Sequence, residues 1–166
     1  MVSSPIGSGG KNSPIRCCDF AVEDLLPQSG GMALLDQVLD AGDNHLTAKL
    51  TVRDDGLFSG LDHTVPAWIG IEYMAQTVAA YSGYQSKRSG QPIQIGFLLG
   101  TRHYQCSVGS FACGTRLSVH VEKVMEGAND MLVFDCRIEG ETITASAMIN
   151  VFLPQDAQQF LADKGL

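Results

Sequence analysis

The stretch Pro66–Tyr81, PAWIGIEYMAQTVAAY, decides how this chain is read. It is nearly continuous apolar sequence, broken by a carboxylate at Glu72 and, four residues later, by an amide at Gln76. Ala, Met, Glu and Gln favour helix, and Pro66 suits a first helical position. The segment therefore predicts one long helix from Pro66 through Tyr84, with Gly83 and Gly90 bracketing its exit. A helix apolar nearly all round is expected to be buried on most sides. Glu72 and Gln76 share one face of it. An ionised carboxylate in such a setting, without a partner, costs several kcal/mol. Two readings are open. In one, Gln76 and nearby backbone satisfy a structural carboxyl. In the other, desolvation raises the carboxyl pKa and equips Glu72 as a general acid.

Outward from this helix the pattern changes to period two. MALLDQVLDA and HLTAKLTV flank the turn GDN, and Leu46, Ala48, Leu50 and Val52 alternate with polar residues, which predicts a β-hairpin. Four later runs read as strands: IQIGFLLGTRHYQC, TRLSVHVEKVM, MLVFDCRIE and TITASAMINVF. In the last, Ile143, Ala145, Ala147, Ile149 and Val151 fall on one face. The short turns EGAND and EGE suit antiparallel neighbours. Ahead of all these, Val22–Leu26 reads as a short helical turn stopped by Pro27. The predicted order is hairpin, helix, four-strand meander. This is an α+β architecture, with a curved antiparallel sheet wrapped around one long central helix.

With 166 residues, 45% hydrophobic and 17% charged, the chain is expected to form one globular domain. Residues 1–16, rich in Gly, Ser and Pro, read as a flexible tail with no apolar secretory stretch, leaving 17–166 as a single domain. No run of eighteen apolar residues is present, so no membrane span is predicted. Five cysteines, an odd count, point to reduced thiols and a cytoplasmic setting. A net charge of −7 argues against nucleic acid. An acidic protein partner would have to meet a local basic patch, at Lys87 with Arg88 or at Arg102 with Arg116.

Other motifs carry little. SGGK, Ser8–Lys11, matches a nucleophile pattern but lies in the tail. No nucleophile elbow, Walker loop, dinucleotide fingerprint or Cys/His metal spacing occurs. His45 and His120 read as surface residues, and Cys106, Cys113 and Cys136 as small buried hydrophobes.

The helix motif PAWIGIEYMAQ resembles the start of the central helix in hot-dog fold 3-hydroxyacyl-ACP dehydratases: an opening Pro, an acidic residue six positions later, then Met-Ala-Gln. LLPQSGGMALLDQVLDA is similar to that family's leading strand, and VPAWIGIEYMAQ with GFLLGTR resembles the subgroup associated with aryl-polyene gene clusters. Gln28 stands where the family usually has His after Leu-Pro. The resemblance covers about residues 20 to 154.

The resemblance implies dehydration of a thioester on an acyl carrier protein to the trans-2-enoyl product, with no metal or redox cofactor. It implies Glu72 as catalytic acid and the backbone N–H of Ala67 as the group that polarises the thioester carbonyl. His63, the only histidine in the loop before the helix, would be the base, although DHTVPAW lacks the family's Phe-Pro-Gly portion; His103 is a weaker substitute. Gln76 would orient the carboxyl, and Trp68, Phe97 and Leu98 would line an acyl channel. The family further implies a homodimer, or a heterodimer with a related hot-dog subunit, in which His and Glu meet across the interface. Two alternatives are a hot-dog thioesterase, with Glu72 as general base, and a non-catalytic subunit of a mixed dehydratase dimer.

Overall fold

Each strand follows its alternating pattern, and the sheet so formed cups a single long helix. The computed structural model describes residues 20–165, so the tail at 1–16, with SGGK and Cys17 and Cys18, lies outside the described residues. The hairpin consists of β1 (Gln37–Ala41) and β2 (His45–Thr51). It is closed by the Gly42 N–H donating to the His45 carbonyl. Leu46, Ala48 and Leu50 turn inward as their spacing predicts. A three-residue β3 (Thr64–Pro66) leads through a 3-10 turn, Ala67–Ile69, into α1 (Gly70–Arg88). After α1 come β4 (Phe97–Cys106), β5 (Ser110–Ala112), β6 (Arg116–Glu126), β7 (Met131–Glu139), β8 (Thr144–Phe152) and a short α2 (Ala157–Lys164).

The six long strands form one antiparallel sheet in the order β1-β2-β6-β7-β8-β4, and β3 pairs with β5 apart from it. The predicted four-strand meander is therefore corrected. Only β6, β7 and β8 follow one another in space, while β4 crosses to the far edge and pairs with β8. The hairpin explains this: β2 occupies the free side of β6, from His45 opposite Glu122 to Thr51 opposite Arg116. Of the two edges then left, those of β1 and β8, β4 takes that of β8.

Helix α1 packs into the concave face, burying Tyr73, Met74, Thr77, Ala80 and Tyr81. It runs through Gly83 to Arg88, within the exit bracketed by Gly83 and Gly90. A Cβ at Gly83 would overlap the Leu25 carbonyl, so glycine here admits the Leu25–Leu26 backbone against the helix. The helix ends at Ser89, followed by Gly90 at φ +66°. Arg88, in its last turn, bonds Asp43 at 2.7 Å.

Cys136 is fully buried, as its strand position predicts, whereas Cys106 and Cys113 are only half-buried. Burial pushes the Cys113 and Cys136 thiols up. His45 and His120 are half-buried rather than fully at the surface: their rings lie 5.9 Å apart, bonded to Asp40 and Thr47 respectively. Among the described residues no helix is long and apolar enough to cross a membrane, and no cluster of side chains has metal-ligand geometry.

Candidate functional site

The carboxylate that interrupts the apolar segment is not in the core. Glu72 is half-buried on α1. Along one face of this helix Glu72, Ala75, Val78, Ala79 and Ser82 recur at helical spacing and form one wall of a cavity of about 180 Å³. Pro27 and Gln28 close one side, and Gln94, Gly96, Leu98 and Val151 the other. A carboxylate in a mostly apolar recess, with one side open, retains some hydration while meeting few competing polar groups.

Gln76 is the anchor of this wall. It is 1% exposed, and each end of its amide is used. The Nε2 group donates to the Glu72 carboxylate at 2.9 Å and to the Met32 carbonyl at 2.8 Å. Oε1 accepts from the Leu34 N–H at 2.8 Å. One side chain thus fixes the carboxylate and ties the Gly30–Leu34 segment to the helix. The predicted pairing of Glu72 with Gln76 is present in the fold, with the backbone bonds in addition.

The remaining expected groups are placed less simply. Ala67 cannot offer its N–H to a ligand, which is a correction: that group donates to the Gly109 carbonyl at 3.1 Å. The β3–β5 ladder, with Pro66 opposite Ser110, simply continues one residue further. The next amide, Trp68, precedes the first i→i−3 bond of the 3-10 turn and has no backbone acceptor among the described residues. The Ala67 carbonyl accepts from the Tyr104 hydroxyl, and Gly70 gives that hydroxyl its room. Burial pushes the Tyr104 hydroxyl up, so it remains a donor.

Leu98 lines the Glu72 cavity, but Phe97 and Trp68 do not. Phe97 packs against Phe160 of α2 with ring centroids 5.3 Å apart, on the face opposite Leu98 as its place next to it in the strand requires. The Trp68 indole is 63% exposed on the first turn.

His63 occupies the loop before β3 with its side chain 74% exposed and its backbone at φ +56°. Its Nδ1 bonds Asp54 at 2.5 Å. The imidazole beside Asp54 holds that carboxyl below the usual range. His63 is absent from the lining of the Glu72 cavity, so a single copy of the chain does not place the expected base beside the expected acid. His103, in an irregular part of β4, is exposed at φ +55°.

Sequence reasoning missed Asp54 as partner of His63 and Tyr104 as brace of the helix start. It marked Gln28 only as a departure from the family. In the fold, Gln28 shares the cavity with Glu72, and its Oε1 is buried with no hydrogen-bond partner among the described residues.

Comparison with known proteins agrees with this architecture. The family model ApeP-like, described as ApeP dehydratase, matches residues 20–162. The fold is similar to the dehydratase heterocomplex ApeI:P from Xenorhabdus doucetiae, with a TM-score of 0.77 and 28% identity, covering 86% of this chain and 97% of that chain. Two more distant structures share the fold. One is a hypothetical thioesterase with coenzyme A from Streptococcus pneumoniae TIGR4, with a TM-score of 0.55 and 13% identity, covering 71% of this chain and 84% of that one. The other is the E. coli PaaI protein from the phenylacetic acid degradation operon, with a TM-score of 0.54 and 9% identity, covering 69% and 80%. Curated protein sequences give no significant match. The curved sheet around one helix is the hot-dog fold, and the chain belongs to the ApeP-like dehydratase family.

Proposed function

We propose that this chain, paired with a second hot-dog subunit, dehydrates a 3-hydroxyacyl thioester carried on an acyl carrier protein to the trans-2-enoyl thioester. The observation that carries this is Glu72, held by Gln76 at the wall of a largely apolar cavity in a chain of a dehydratase family. Elimination needs a base for the C2 proton, an acid for the departing hydroxyl and a donor for the enolate oxygen. Glu72 gives its proton to the 3-hydroxyl as the C3–O bond breaks. His63, oriented by Asp54, takes the C2 proton. The donor is the Trp68 N–H in place of that of Ala67, at a helix start where the dipole also favours negative charge.

One copy alone does not bring Glu72 and His63 together, and the second subunit confines His63 against the site, which fits an exposed His63 outside the Glu72 cavity. Support for a second subunit comes from β4. It is a ten-residue strand at the sheet edge, with Leu98 and Leu99 exposed at 48% and 55%. Such an edge pairs readily with another strand. The ApeI:P complex is a dehydratase heterocomplex. By that likeness the partner here is a related hot-dog chain. Arg102 and Arg116, both exposed, offer charge to an acidic carrier. On its odd number of cysteines we place the reaction in the cytoplasm.

The test is product analysis. The chain assembled with its partner and a 3-hydroxyacyl-carrier substrate is expected to give enoyl-carrier and water. Free acid with free carrier thiol would instead identify a thioesterase, and unchanged turnover on Glu72→Gln would identify a non-catalytic subunit.

A further inference from the structure

We propose that Gln28 contacts the substrate, its side-chain oxygen accepting a hydrogen bond from the 3-hydroxyl of the acyl chain. The inference rests on the dehydratase reading above and deepens it, by naming the group that selects a hydroxylated chain at this site.

Of the three glutamines at or beside this cavity, Gln28, Gln76 and Gln94, the first two differ in one respect. The Gln76 amide is fully used within the protein, on Leu34, Met32 and Glu72. The Gln28 Oε1 is buried and has no donor among the described residues. A buried acceptor without a partner is uncommon in a native fold and calls for an explanation. The place of Gln28 supplies one, because it lines the same cavity as Glu72.

Apart from Glu72, the cavity wall offers few polar groups: Ser82 and Gln94 lie further along the helix and beyond it, and the rest are Pro, Ala, Val, Gly and Leu. Rotation about the last side-chain torsion of glutamine is broad and roughly two-fold, so a half-turn carries Oε1 to the side its Nε2 held. The backbone around Gln28 is anchored on both sides. Leu25 and Leu26 are buried ahead of it, with Gly83 admitting Leu25 against α1, and Gln76 ties down Met32 and Leu34 beyond it. The amide therefore turns on a fixed base.

The ligand chemistry follows from an amide and a carboxyl that line one cavity. On a 3-hydroxyacyl chain the hydroxyl is the sole donor near C3. Gln28 accepts from the hydroxyl's own hydrogen while the same oxygen accepts the proton of Glu72. The C2 proton passes to the base, the C3–O bond breaks, and water leaves with one hydrogen from the hydroxyl and one from Glu72. Gln28 neither gives nor takes a proton. Neither the enoyl product nor a saturated chain has a donor at C3. A site that hydrogen-bonds a hydroxyl discriminates strongly against analogues lacking it.

The experiment measures binding to the assembled protein with its hot-dog partner. The probes are 3-hydroxyoctanoyl-pantetheine and octanoyl-pantetheine, each with the thioester sulfur replaced by NH so that neither reacts. The wild type is expected to prefer the hydroxylated probe by at least about tenfold. Gln28→Met is expected to abolish that preference, bringing the two probes to within about twofold of each other, and Gln28→Glu, which keeps an acceptor oxygen, to retain it. A preference that survives Gln28→Met, or equal weakening of both probes, overturns the assignment while leaving the dehydratase reading intact. A wild-type protein that binds neither probe, or that releases free acid from the true thioester, overturns that reading and this assignment with it.

Discussion

Glu72 and His63 lie nine residues apart in the chain and are held in opposite ways. Glu72 stands on a helix, its carboxylate fixed by an amide that is itself locked to two backbone groups. His63 stands on a loop at positive φ, open to solvent, with one carboxylate beside it. The contrast shows which part of the proposed site is complete in one protomer. The proposed acid is already positioned, whereas the proposed base is left for a second subunit to confine.

The largest effect should fall on the positioned residue. Glu72→Gln is expected to lower dehydration by about 100-fold or more, with unchanged circular dichroism and melting temperature, since acid–base groups contribute ~10²–10⁴-fold. Steady-state turnover of the assembled protein checks this, and a change under about tenfold would remove Glu72 from the chemistry. His63→Asn should cost at least about tenfold in kcat, with little change in the melting temperature of the isolated chain, because the side chain is mostly exposed. Equal activity would move the base to the partner subunit.

Gln76→Leu sharpens the contrast through stability. It orphans the Leu34 N–H and the Met32 carbonyl, so a loss of about 3 kcal/mol is expected, roughly 6–12 °C by thermal melting. Turnover should fall as well, since the carboxylate loses its guide. The smallest effect belongs to Asp54→Asn, about threefold in kcat, as the imidazole loses an orienting bond.

Asp54 also has a pH signature. Its carboxyl is held low in the fold by His63, so its contribution is present above the ordinary carboxylate value of about 4 and lost as pH falls below it. Wild type is expected to lose slightly more stability on acidification than Asp54→Asn, as melting curves taken on either side of that value would show.

The elements with strong period were legible in the sequence. Leu46, Ala48 and Leu50, or Ala145, Ala147 and Ile149, alternate and are buried as read. The strand order was not, because the pairing of β4 with β8 is decided by which edges remain free after the hairpin has docked. Three-residue strands such as Thr64–Pro66 are too short to show a period. Gly83 looks like a helix end when seen alone, and only the approach of Leu25 reveals why the position is glycine.

At the site, the Glu72–Gln76 spacing was readable, since four residues on a helix give one face. The depth of Glu72 was not, because the apolar run does not reveal that Ala75, Ala79 and Ser82 face a cavity rather than the core. Nor does the identity of Ala67 reveal that its amide is already engaged, since that bond is set by how far the ladder beside β5 extends.

The long outer flank of β4 has a consequence for how the protein must be made. Ten residues of backbone with two exposed leucines form a template onto which further copies can add. Synthesis in excess over a companion chain would favour insoluble aggregates, so balanced co-production of the two chains is the expected requirement for recovering material that stays dispersed.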